Sequence, residues 1–154
     1  MTPDHILPQL LIGSSPRSTS DIDSLKETSK VTAVLSFQTE EDFAYWEIDW
    51  DMMVQYYEEN GIEVRRVPVR DFDPDDLRKN LSACVDALDE LLEAGHTVYI
   101  HCNAGMNRSP SVAIAYLHWI KGQALDDAFE HVTQKHFCDP DFNAISLATE
   151  DRRK

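Results

Sequence analysis

The chain has 154 residues, enough for one domain with a sizeable hydrophobic core. Its formal net charge of −14 argues against a nucleic-acid or anionic-membrane partner, because phosphate-rich surfaces are bound by clustered Lys and Arg. No apolar run reaches membrane-spanning length, and the N-terminus lacks the basic region and apolar stretch of a secretory signal.

Strands and helices alternate along the first half of the chain. We predict strands at residues 6–12, 31–37 and 62–67, where apolar and β-branched side chains dominate. We predict helices at residues 18–29 and 51–60. Residues 38–50 are acidic and aromatic with little periodicity, so we expect an irregular, exposed segment there.

A well-marked helix opens the second half. Asp73 is a typical N-cap, Pro74 suits the first helical position, and apolar side chains including Cys84 then recur at helical spacing until Gly95. We expect Cys84 to fill the core on that face. A strand at 97–101 and helices at 109–121, 125–136 and 141–149 complete the prediction. Strands separated by helices indicate a single α/β domain over residues 1–154, with a mostly parallel sheet of about five strands flanked by helices.

The cysteine content bears on the cellular compartment. Cys84, Cys102 and Cys138 form an odd, sparse set with no zinc-site spacing, which indicates reduced thiols. We therefore expect a cytoplasmic protein; a plastid location would require a transit peptide that has been removed. We also expect a monomer without metal or cofactor.

The segment between the strand at 97–101 and the next helix predicts a phosphate cradle. Backbone N–H groups in such a turn converge on an anion, and the helix N-terminus adds positive partial charge. Both favour the thiolate of Cys102, which makes it the candidate nucleophile. Arg108, six positions later, carries a planar fork that matches two phosphoryl oxygens. The residues between them are the candidate phosphate-binding positions: Asn103, Ala104, Gly105, Met106 and Asn107.

Three further residues have predicted roles around this cradle. Ser109 is expected to donate a hydrogen bond to the sulfur and ease its departure, and His101 to support the loop by hydrogen bonding. The leaving oxygen needs a general acid. Asp71 is our candidate, since the nearby Asp73 is already occupied as a helix cap. The alternative is that both aspartates are only turn residues.

These motifs resemble the dual-specificity branch of the protein tyrosine phosphatase superfamily, and within it the glucan phosphatases, the plant starch-excess type and laforin. The resemblance extends over nearly the whole chain. It is carried by residues 34–38, 45–49, 66–68, 70–74, 101–105 and 138–140. It implies the compact phosphatase fold without a separate carbohydrate-binding module, and phosphorylated α-glucan as substrate. Ser36 stands where the plant enzymes can carry a second, redox-active cysteine, so we expect no such disulfide.

Aromatic side chains around the acid loop give independent support for a sugar ligand. We expect Tyr45, Trp46 and Phe72 to line a platform and Trp50 to lie in the core. Neutral glucan needs no basic surface, so the acidic charge is compatible with it. Asn107 replaces the Gly that glucan phosphatases usually carry before the arginine. We expect it either to narrow the cradle or to add a side-chain hydrogen bond.

Two alternatives to a phosphoglucan phosphatase remain open. One is a dual-specificity phosphatase acting on phosphoproteins or phosphoinositides. The other, of a different class, is an inactive glucan-binding scaffold. The joint presence of Cys102, Arg108, Ser109 and Asp71 argues against loss of activity.

Overall fold

A five-stranded sheet forms the centre of the protein, in a computed structural model that describes all residues from 1 to 154. The strands are β1 (Asp4–Leu7), β2 (Leu10–Gly13), β3 (Ala33–Ser36), β4 (Glu63–Arg66) and β5 (Val98–His101). Their order across the sheet is β1-β2-β5-β3-β4. Only β1 runs antiparallel, to β2, and the other neighbours are parallel. Strand β5 therefore lies in the middle.

Seven helices cover this sheet on both faces. They are α1 (Thr19–Glu27), α2 (Glu40–Trp46), α3 (Trp50–Glu59), α4 (Pro74–Glu93), α5 (Arg108–Trp119), α6 (Leu125–Lys135) and α7 (Phe142–Arg153). Helices α4 to α7 contribute to a core of 26 buried residues, and α1 and α3 to a second core of 9. On β5, Val98 and Ile100 face the larger core while Tyr99 faces the smaller, as strand alternation requires. The predicted α/β domain with a mostly parallel sheet is confirmed.

Most local predictions hold, and the cap of α4 is a clear case. The Asp73 side chain accepts a hydrogen bond from the Asp76 backbone N–H at 3.0 Å, and Pro74 is the first helical residue. Cys84 is fully buried in the larger core. None of the helices has both the length and the apolar character needed to cross a membrane.

The prediction of one strand at residues 6–12 is wrong. The segment is a hairpin in which β1 and β2 pair antiparallel around a turn at Pro8 and Gln9. Proline lacks a backbone N–H and cannot continue a strand ladder, so the chain reverses there although the flanking residues are apolar.

The prediction of an irregular segment at residues 38–50 is also wrong. Helix α2 occupies most of it and begins with a reciprocal capping box between Thr39 and Asp42. Asp42 Oδ2 accepts from the Thr39 N–H at 2.9 Å, and the Thr39 hydroxyl accepts from the Asp42 N–H at 3.3 Å. Thr-x-x-Asp is the sequence signal of such a box. This capping signal is better evidence for the helix than hydrophobic periodicity, which is weak in a helix only seven residues long.

Candidate active site

The predicted cradle lies at the carboxyl end of the central strand. Residues 102–107 leave β5 and turn into α5, the position where parallel sheets bind ligands. The Cys102 side chain is 3% exposed. Of the other two thiols, burial raises the pKa of Cys84 and raises that of Cys138 to about 11. Those two remain protonated at neutral pH.

Gly105 is required by the shape of the loop. Its φ of 72° lies in the left-handed region, and a Cβ built there would come within 2.8 Å of the Gly13 carbonyl oxygen. The cradle thus packs closely against the end of β2. Gly105 contributes backbone to the cradle from behind and does not line the cavity in front of it.

The outer edge of the cradle is held by the chain between α6 and α7. The His136 Nε2 atom lies 2.7 Å from the Gly105 carbonyl oxygen. The Asp139 N–H donates to the Met106 carbonyl at 2.7 Å, and the Asn107 side chain donates to the Asp139 carbonyl at 2.9 Å. Of the two expectations for Asn107, the added side-chain hydrogen bond is the one observed. It braces the loop from outside.

The two residues predicted to support Cys102 both contact it directly. The Ser109 hydroxyl oxygen lies 3.3 Å from the Cys102 sulfur and is fully buried. His101 Nδ1 donates to the Cys102 carbonyl at 2.9 Å. Burial lowers the pKa of His101 to about 4, so the ring is neutral at physiological pH and serves as a hydrogen-bond donor only.

The Arg108 side chain is 1% exposed, and all of its hydrogen bonds to the protein come from one side of the guanidinium, the Nη1 group. Its Nη1 atom donates to Asp42 Oδ2 at 2.7 Å, to the Val69 carbonyl at 2.8 Å and to the Phe37 carbonyl at 3.3 Å. Nε and Nη2 are buried without a hydrogen-bond partner. Two parallel N–H groups are therefore available to a bound phosphoryl group.

Asp42 is a site residue that sequence reasoning missed. It is 7% exposed, pairs with Arg108, and accepts from Asn103 Nδ2 at 2.9 Å. Burial raises its pKa, but the hydrogen bonds from Arg108, the Thr39 backbone and Asn103 outweigh this and hold the pKa below its ordinary value. The capping box was the available signal for the helix, but nothing local indicates the ion pair.

Asp71 faces the cradle, whereas Asp73 is turned to its helix. Asp71 Oδ2 lies 3.4 Å from Arg108 Nη2 and 3.5 Å from Asn103 Nδ2. Its side chain is about a quarter exposed and borders the same cavity as Cys102. Asp71 is therefore the carboxyl group of that loop placed for proton transfer, and its role as the acid stays a prediction.

An open cavity of about 690 Å³ lies over the cradle. Three exposed side chains form what we call the aromatic wall: Tyr45, Trp46 and Phe72. Phe72 is 96% exposed and has a φ of 58°, an unfavourable backbone conformation for an aromatic residue and one that is common at functional sites. The predicted cradle residues that border the cavity are Cys102, Asn103, Ala104, Met106, Asn107 and Arg108.

Trp50 packs against the edge of the smaller core and is not buried inside it as expected. It is half-buried and stacks on Phe43, with ring centroids 5.0 Å apart, while Phe43 itself is 5% exposed. The two rings lie beneath the Arg66 guanidinium. Phe43 points inward from α2 as Tyr45 and Trp46 point outward, because a helix turns its side chains by about 100° per residue.

The fold and this site define the class of protein. Residues 12–145 match the family "Dual specificity phosphatase, catalytic domain", and the chain belongs to this family of cysteine-based phosphatases. No group of three or more His, Cys, Asp and Glu side chains is arranged to hold a metal ion.

Three relatives align with most of the chain. Phosphoglucan phosphatase LSF1, chloroplastic, of Arabidopsis thaliana is 36% identical over 146 residues, which are 95% of this chain and 24% of that protein. Phosphoglucan phosphatase DSP4, amyloplastic, of Castanea sativa is 33% identical over 96% of this chain and 40% of its own length. Laforin of Mus musculus is 38% identical over 77% of this chain and 39% of its own length. The chain thus spans less than half the length of each relative.

Solved structures show the same fold. Tk-PTP in its active form superposes with a TM-score of 0.75 at 21% identity, covering 97% of this chain and 94% of that one. The human tyrosine phosphatase-like serine/threonine/tyrosine-interacting protein also gives 0.75, at 22% identity, covering 98% and 95%.

Proposed function

We propose that this domain hydrolyses phosphate monoesters through a phosphocysteine at Cys102, and that its substrate is phosphorylated α-glucan. The observation that carries the proposal is the single cavity in which the cradle and the aromatic wall meet. Aromatic rings offer apolar faces for sugar rings, and neutral sugar is compatible with a net charge of −14. Two relatives that align with almost the whole chain are named phosphoglucan phosphatases.

In the first step the Cys102 thiolate attacks the phosphorus atom. The bond between phosphorus and the glucose oxygen breaks as the sulfur–phosphorus bond forms, and Asp71 gives its proton to the departing oxygen. The Nε and Nη2 groups of Arg108 and the backbone N–H groups of the cradle bind the phosphoryl oxygens, whose charge increases in the transition state.

In the second step water attacks the phosphocysteine. Asp71, now a carboxylate, takes a proton from the water, and the sulfur leaves as a thiolate with inorganic phosphate as product. The Ser109 hydroxyl, 3.3 Å from the sulfur, donates a hydrogen bond to the developing negative charge. The neutral His101 keeps the Cys102 carbonyl in place and exchanges no proton.

Asp71→Asn tests the assignment of the acid. We expect turnover of a poor leaving group such as a glucose phosphate ester to fall about a hundredfold or more, in the range typical of general acids. An activated aryl phosphate needs little protonation, so a burst of phosphoenzyme formation should remain detectable with it. Stopped-flow release of the aryl alcohol measures the burst.

Asp75→Asn is the matched control, since Asp75 is an exposed aspartate in the first turn of α4 and loses the same charge. Its turnover should stay within about twofold of wild type. Unchanged turnover of the poor leaving group by Asp71→Asn would remove Asp71 from the mechanism.

The substrate assignment is tested with four substrates side by side: phosphorylated amylopectin, an aryl phosphate, a phosphopeptide and a phosphoinositide. We expect phosphate release from amylopectin, and a loss of about tenfold in kcat/KM on amylopectin in Trp46→Ala. Phe137→Ala is the control, because Phe137 is an 85% exposed aromatic side chain outside the cavity. Its kcat/KM should stay within about twofold.

Each alternative gives a different result in this comparison. Release from the aryl phosphate and the phosphopeptide or phosphoinositide, but not from amylopectin, would replace the glucan proposal with the protein or lipid phosphatase. Co-sedimentation with amylopectin without release from any substrate would favour the inactive scaffold.

We further propose that the domain acts as a monomer without metal or cofactor, and in the cytoplasm. A plastid is the alternative location, because the names of the two plant relatives place them in the chloroplast and the amyloplast.

A further inference from the structure

One buried carboxylate joins three parts of the site. Asp42 Oδ2 accepts from the Thr39 N–H at 2.9 Å and from Arg108 Nη1 at 2.7 Å, and Oδ1 accepts from Asn103 Nδ2 at 2.9 Å. The same group therefore starts helix α2, holds the arginine and holds the first cradle residue after the nucleophile. Burial of a carboxylate costs desolvation free energy, so a carboxylate in this position indicates a specific role.

The contacts of Arg108 show what that use is. Asp42 is its nearest charged partner, at 2.7 Å, and Nη1 donates all three hydrogen bonds of the guanidinium. Because the guanidinium is a rigid plane, fixing Nη1 on one side turns the Nε and Nη2 groups in a set direction. We infer that Asp42 is a positioning residue, which aims the Nε–Nη2 edge of Arg108 at the substrate phosphoryl group. The inference rests on the phosphatase function proposed above.

Asp42 also keeps the general acid available. Asp71 Oδ2 is 3.4 Å from Arg108 Nη2, so Asp71 is the second carboxylate within reach of the guanidinium. With Asp42 on Nη1, Asp71 makes no closer ion pair. If the charge of Asp42 is removed, Asp71 is the remaining carboxylate within reach of Arg108, and we expect the guanidinium to draw it away from the leaving oxygen.

Helix α2 also connects Asp42 to the aromatic wall. Tyr45 and Trp46 follow Asp42 by three and four residues, which is one helical turn. The helix has seven residues, and Asp42 belongs to its capping box. Asp42 thus anchors both Arg108 and the helix that carries Tyr45 and Trp46.

Asp42→Asn is the test, since asparagine has the same size and its oxygen can still accept from the Thr39 N–H. We expect kcat to fall about tenfold on nitrophenyl phosphate, equivalent to about 1.4 kcal/mol, and about a hundredfold on phenyl phosphate, the poorer leaving group. The loss is expected to be larger on the poorer leaving group because that oxygen depends more on Asp71, which Arg108 would draw away from it. A role confined to folding would lower both rates by the same factor, and normalisation to the folded fraction would restore both to the wild-type values. Asp42→Glu, which restores the charge, should recover part of the loss.

Glu40→Gln is the matched control. Glu40 lies in the same first turn of α2, loses the same charge and pairs with Arg66 at the surface. We expect both kcat values to stay within about twofold of wild type. Thermal unfolding of all variants reports the folded fraction at the assay temperature, to which the rates are normalised.

Inorganic phosphate binding, measured by calorimetry, tests the same contact without turnover. We expect about tenfold weaker binding to Asp42→Asn than to wild type. Equal binding, or equal fractional losses on the two aryl esters, would overturn the positioning role of Asp42 and leave the proposed phosphatase function intact. Wild-type protein that neither binds phosphate nor hydrolyses aryl esters would overturn the proposed function itself.

Discussion

Cys102→Ser is expected to abolish phosphate release, with a loss of at least about ten-thousandfold in kcat, the scale seen when an enzyme loses its nucleophile. A serine hydroxyl at this position stays protonated at neutral pH and cannot replace the thiolate. The exchange is nearly isosteric and the side chain is 3% exposed, so the fold should persist. Release of phosphate from an aryl ester measures the loss, and calorimetry with inorganic phosphate shows whether the cradle remains.

Cys84→Ala is the matched control, because it removes the other fully buried thiol, which lies on the core face of α4. Its activity per folded molecule should equal that of wild type. Residual turnover in Cys102→Ser above about a hundredth of wild type would show that another group is the nucleophile.

Arg108→Lys is expected to lower kcat/KM about a thousandfold although the positive charge is kept. An ammonium group cannot present two parallel N–H groups to phosphate while also bonding to Asp42 and the Val69 carbonyl. Losing two charge-assisted hydrogen bonds at about 2 kcal/mol each accounts for this size of effect. Steady-state kinetics on an aryl phosphate gives the number.

Arg65→Lys provides the comparison for this variant. Arg65 makes surface ion pairs with Glu63 and Glu90, and such pairs contribute little. Its kcat/KM should remain within about twofold of wild type. A loss of less than about tenfold in Arg108→Lys would mean that a single positive charge is enough to bind the phosphoryl group and that the two parallel N–H groups of the guanidinium are not needed.

The cradle was predictable because the residues that carry its chemistry are contiguous in the sequence. A buried strand, a turn with Gly105 and a helix start follow one another between Val98 and Ser109, and the thiol, the arginine and Ser109 belong to that run. Asp71 was predictable for a related reason, since Asp73 and Pro74 mark the start of α4 and leave one aspartate free.

The supports of the cradle were not predictable from local sequence. Asp42 and Arg108 are 66 residues apart, and His136 meets Gly105 across 31 residues and Asp4 across 132. Such contacts depend on how α2 and the segment after α6 pack, and no local pattern specifies that. The aromatic wall was predicted by composition, but its residues were placed in an irregular loop. In fact a capped helix presents Tyr45 and Trp46 outward.

The most direct test of the account is a covalent one. Wild-type protein mixed with phosphorylated amylopectin and quenched in acid within milliseconds should carry one phosphoryl group on the peptide that contains Cys102, detected by mass spectrometry, and Cys102→Ser should carry none. A phosphoryl adduct that forms with an aryl phosphate but never with amylopectin would contradict the glucan assignment. An adduct on any residue other than Cys102 would contradict the mechanism.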